Sequence, residues 1–139
     1  MKFNIWSKYA RVQDETDKLF EEDVLFRGRV IKSEDDLCLA CVGIFAELGH
    51  DAFQMIHIPN GGSRHKLEAA KFKKMGVRAG VPDYLMSNSD GVPVAWFEFK
   101  FGKNGLQENQ KKFQAWTGLP LIVIRTPEEF KKGLKELGL

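Results

Sequence analysis

From Ala95 to Phe101 the chain reads AWFEFKF, a strict alternation of two kinds of position. That is the period of a β-strand. Ala95, Phe97, Phe99 and Phe101 fall on one face, and Trp96, Glu98 and Lys100 on the other. Three phenylalanines on one face draw it into a core. A slip of one residue would expose them all, so the register is set. Glu98 and Lys100 then share the opposite face, roughly 7 Å apart along the strand.

The elements around this strand follow from the same kind of pattern. Trp6 to Glu22 is read as an amphipathic helix with Tyr9, Val12, Leu19 and Phe20 as its apolar positions, and VLFRGRVI (24–31) has strand character. Ser33 is an N-cap followed by Glu34, Asp35 and Asp36, acids that complement a helix dipole. The apolar run that follows predicts a largely buried helix, ended by Gly49. Ala52 to Ile58 reads as a strand, broken by Pro59-Asn60-Gly61-Gly62. Ser63 is expected to cap a helix from Arg64 to Met75, with Gly76 as its stop. After the loop GVRAG, Pro82 stiffens the start of a strand carrying Asp83. The turn NSDGVP (88–93) makes this strand and the central one antiparallel neighbours, so Asp83 and Glu98 are expected at facing positions. A helix is predicted over Leu106 to Trp116, and Leu121 to Ile124 is an apolar run suited to an internal strand. Thr126-Pro127-Glu128-Glu129 opens a last helix. From Ser33 the order is helix, strand, helix, strand, strand, helix, strand, helix. That order predicts an α/β fold with a mixed sheet of about four strands flanked by helices.

The 139 residues suit one domain, with residues 1–32 as an extension and 33–139 as the principal domain. Apolar content of 43% and charged content of 29% are those of a globular protein. No apolar run is long enough to span a membrane and no signal-peptide core opens the chain, so a cytoplasmic protein without membrane partners is expected. The net charge of +2 says little, but its distribution says more. Within residues 56–80, Arg64, Lys66, Lys71, Lys73, Lys74 and Arg78 stand against Glu68 alone. A basic segment near carboxylates suits an enzyme that grips a phosphate backbone. Cys38 and Cys41 form C-x-x-C inside an apolar helical run, where packing explains them better than redox chemistry.

Leu106, Gln110, Phe113 and Thr117 share one helical face. Gln110 is thereby aimed at the protein and needs a partner, either in a site or on buried backbone. The glycines of PNGG and the following helix N-terminus offer backbone N–H groups to a phosphate.

IHIPNGGSRHKLEAAKFKKMGVRAGVPDYLMS followed by WFEFKFGKNGLQENQKKF resembles the virus-type replication-repair nuclease (VRR-NUC) family of the PD-(D/E)XK nuclease superfamily. The resemblance runs from about Glu34 to about Thr126. It rests on the combination of PNGG, GVRAGVPD, FEFK and a helix bearing Gln110, which is far more specific than PD…ExK alone. It implies the superfamily's core fold, here of the stand-alone phage or bacterial type, in a DNA-cutting enzyme. It also implies Mg²⁺ or Mn²⁺ held by Asp83, Glu98, the Phe99 carbonyl and Glu34, with Asp35 or Asp36 as fallbacks for Glu34. Asp83, Glu98, Lys100 and Gln110 become the catalytic set, with Lys100 orienting water or neutralising charge and Gln110 orienting Lys100 or the water. Asn60, Arg64, Lys66, Lys73, Lys74, Arg78 and Lys103 become DNA contacts. The expected function is endonucleolytic cleavage of branched DNA by a homodimer resembling Holliday-junction resolvases. The alternatives are a flap or nicking nuclease and a non-catalytic DNA-binding module.

Overall fold

The computed structural model describes residues 24–48, 53–59 and 65–138. The helix expected between Trp6 and Glu22 lies outside the described residues, as do Asn60, Ser63 and Arg64. The elements, in chain order, are β1 (Val24–Phe26), β2 (Arg29–Ile31), α1 (Glu34–Leu48), β3 (Phe53–His57), α2 (Lys66–Lys74), β4 (Tyr84–Asn88), β5 (Pro93–Phe99), α3 (Glu108–Trp116), β6 (Leu121–Ile124) and α4 (Pro127–Glu136). From α1 onward this is the order the sequence predicts.

A four-stranded sheet has the order β3-β4-β5-β6. β3 and β4 are antiparallel, and so are β4 and β5. The Trp96 N–H donates to the Pro120 carbonyl at 2.8 Å and the Lys100 N–H to that of Ile124 at 3.0 Å. The same offset at both ends makes β6 parallel to β5, so the sheet is mixed and the fold is α/β. β6 is therefore an edge strand, not the internal one its apolar run suggests, and its first three residues are only half-buried.

The described residues fall into two compact units, one holding residues 24–48, 99–104 and 124–138, the other residues 53–59, 65–98 and 105–123. In the first, residues 24–31 are a hairpin and not a single strand. Arg27 (φ 52°) and Gly28 (φ 77°) both take the left-handed conformation that a two-residue hairpin turn demands. Arg27 also pairs with Glu47 and lies 4.9 Å from the Phe26 ring centre. Ser33 caps α1 as expected, its Oγ accepting the Asp36 N–H at 3.1 Å. The Asp36 carboxylate accepts the Lys32 N–H in return, which commits it to the cap.

α1 buries one stripe, Leu37, Cys41 and Ile44, and packs on α4. It is not buried all round: Leu39, Val42 and Leu48 are exposed. Burial pushes the Cys41 thiol well above its ordinary pKa, with Cys38 beside it adding to the shift, so it stays protonated and unreactive. Cys38 is half-buried. α4 turns Pro127, Phe130, Gly133 and Leu134 inward at helical spacing, and Phe130 meets Phe99 at 6.4 Å. Thr126 caps it through the Glu129 N–H.

In the second unit Tyr84, Met86, Ala95, Phe97 and Phe113 form the core. α2 starts at Lys66, later than expected, because His65 is its N-cap: the Leu67 N–H reaches the His65 ring at 3.3 Å. Among the described residues, no helix is long and apolar enough to cross a membrane.

Candidate functional site

The site grows from the β4–β5 pairing. Tyr84 faces Phe97, so continuing the register by one residue sets Asp83 opposite Glu98. The contact is direct: the Asp83 N–H donates to Glu98 Oε2 at 3.2 Å. The other end of the Asp83 residue is held as firmly. Its carbonyl accepts the Ile58 N–H at 2.7 Å and lies 3.1 Å from His57 Nδ1. A carbonyl can only accept, so His57 carries a proton on Nδ1 when it makes this bond. Asp83 is thus fastened to β3 on one side and to the β5 carboxylate on the other.

Glu98 is only 3% exposed, although the alternation alone suggests a surface position. α3 covers this face of β5. The Trp96 indole meets Phe113 edge-on at 5.2 Å and donates from Nε1 to Thr117 Oγ1 at 3.1 Å. Three residues before Phe113, Gln110 Nε2 donates to Glu98 Oε1 at 2.7 Å. Gln110 Oε1 accepts the Gln107 N–H at 2.8 Å. One amide therefore caps the start of α3 and clamps the buried carboxylate. A buried carboxylate is costly unless its oxygens are satisfied, and here both accept a hydrogen bond from the protein.

Gly80 makes this arrangement possible. It has φ +89°, and a Cβ there would stand 2.5 Å from the Asn109 carbonyl oxygen. The loop before Asp83 can lie against the first turn of α3 only without a side chain. The sequence carries the signal, a glycine two residues before Pro82, but nothing in it shows what that glycine faces.

Lys100 is also buried, at 5% exposure, and belongs to the first unit with Phe99. Glu34 opens α1 in that same unit and is half-buried. Among the described residues, no three of His, Cys, Asp and Glu gather closely enough to hold a metal ion. What the structure joins is the backbone N–H of Asp83 and the carboxylate of Glu98.

The basic positions are exposed. Lys66, Lys73, Lys74 and Arg78 lie in the second unit on and after α2, and Lys103 in the first. Arg78 places its guanidinium 5.1 Å from the Trp116 ring centre and 5.8 Å from that of Phe113.

Comparison of the chain with models of protein families, with curated proteins and with solved structures found no match.

Proposed function

We propose that this protein is a divalent-metal-dependent DNA endonuclease with a PD-(D/E)XK core of the VRR-NUC kind, cutting structured or branched DNA. The observation that carries the reading is the hydrogen bond from the Asp83 backbone N–H to the Glu98 carboxylate across adjacent antiparallel strands, with Glu98 clamped by Gln110. The chain order and mixed sheet support it as well.

The donor chemistry suits a hard cation. Mg²⁺ prefers oxygen and is held by one or two carboxylates, with water and substrate phosphate completing its shell. Asp83 and Glu98 would supply the carboxylates. Such an ion lowers the pKa of a bound water and polarises a phosphate. Glu98 holds its position because Gln110 and the Asp83 N–H fix both oxygens. Asp83 holds its position through the bonds at its own peptide groups. Lys100 neutralises the charge that develops at phosphorus, a role resting on the Glu98-x-Lys100 spacing. The exposed lysines after His65 take the phosphate backbone. A homodimer would bring two such sites to two strands of a junction.

The test is cleavage of labelled four-way junction, flap and linear duplex by wild type, Glu98→Gln and Lys100→Ala. Each is run with Mg²⁺, with Mn²⁺ and with EDTA. Symmetric metal-dependent nicks across the junction, absent in both variants, are expected. Equal cutting of all three substrates keeps the nuclease and removes the junction preference. Binding without cutting in either metal leaves a non-catalytic DNA-binding module.

A further inference from the structure

We propose that Trp116 and Arg78 form a stacking platform for the unpaired bases of single-stranded nucleic acid. Trp116 is the last residue of α3 and is 68% exposed. A tryptophan is the largest apolar side chain, and most of its value to a fold comes from burial. This one is exposed yet held in place. Its ring lies 5.5 Å from Phe113 at 56°, and Phe113 is buried edge-on against Trp96. Arg78, itself exposed, sets its guanidinium over the same ring. Gly80 pins the loop that carries Arg78 against the start of α3. The result is an exposed aromatic ring braced by Phe113, with a planar cation over it.

The charge around it selects the partner. Lys112 is exposed one helical turn before Trp116 and therefore shares its side of α3. Residues 65–80 carry Lys66, Lys71, Lys73, Lys74 and Arg78 against Glu68. An aromatic ring with Arg78 over it and Lys112 on the same side of its helix complements a chain with π-faces and phosphates. Every base has such a face, and guanidinium planes stack on bases as rings do. Paired bases keep their faces inside the duplex, so a lateral platform takes unpaired ones. Trp116 is six residues beyond Gln110, about 9 Å along the helix axis. A strand stacked there is close to the Asp83–Glu98 pair. What then happens to that strand rests on the nuclease reading; the platform does not.

The test is binding by the full chain in EDTA, where no metal-dependent cutting occurs. The probes are a labelled oligothymidylate of about ten nucleotides, within the range of known single-strand sites, and a duplex of equal length. Trp116→Ala is expected to weaken single-strand binding about 5- to 150-fold, the stacking of one base, and duplex binding by less than about twofold. Trp116→Phe is expected to restore most of the affinity. Thermal unfolding should place both variants beside wild type, since so little of the ring is buried. Single-strand binding unchanged in Trp116→Ala overturns the proposal. So does an equal loss on both probes, which would mark a general phosphate surface. Absence of cleavage in Mg²⁺ with the single-strand effect intact would remove the nuclease reading alone.

Discussion

β5 and α2 each break the rule of apolar inside and charged outside, in opposite directions. At the end of β5, Glu98 and Lys100 are 3% and 5% exposed. On and just after α2, Leu67 and Met75 are 76% and 69% exposed, and no residue of the helix is buried. Burying a charge costs several kcal/mol unless partners satisfy it. Exposing an apolar residue only forgoes roughly 2 kcal/mol of burial. The first departure therefore needs machinery around it, and the structure supplies it for Glu98 in Gln110 and the Asp83 N–H. The second needs none. On the proposed reading the buried charge is the chemical site and the unburied basic helix a surface for contact.

The comparison breaks most severely if β5 tolerates truncation. Phe97→Ala empties a fully buried position in the middle of the strand. It is expected to cost about 3–5 kcal/mol by urea unfolding. Gly80→Ala comes next, at about 2–4 kcal/mol, because it adds a left-handed Cβ and forces it into the Asn109 carbonyl. Gly76→Ala is the control. Its φ is +99°, but nothing stands within 4 Å of the added Cβ, so it should cost less.

Gln110→Ala sharpens the case for the clamp. It leaves Glu98 Oε1 without its amide partner and opens the cap of α3, for about 1–3 kcal/mol. If Gln110 only stabilises the fold, cleavage measured well below the unfolding temperature should stay near wild type. A positioning residue predicts a fall in kcat under the same conditions, with KM for DNA little changed.

Substitutions on α2 complete the series at the small end. Lys73→Ala with Lys74→Ala should lower the slope of log affinity against log salt by about 2, without a change of sequence preference. Leu67→Ser with Met75→Ser should move stability by no more than about 0.5 kcal/mol per site. A larger loss would mean that α2 is packed, and the contrast with β5 would fall.

Much of this was legible in the chain itself. The two-residue alternation over Ala95 to Phe101 set the β5 register, and the NSDGVP turn set the antiparallel pairing that joins Asp83 to Glu98. The signals at Ser33 and at Thr126-Pro127 marked two helix starts. These depend on a residue's own conformational preferences and its near neighbours, which the local sequence contains. Other features depend on what comes close from far along the chain. Glu98 is buried because α3 lies over it. Gln110 finds that carboxylate twelve residues back along the chain. Gly80 is required because Asn109 is there, and β6 is an edge although its sequence reads as an interior strand. Trp116 stays outside on a helix whose period gave no sign of it. Burial, hydrogen-bond partners and close approach are properties of pairs distant in sequence, so only the tertiary structure decided them.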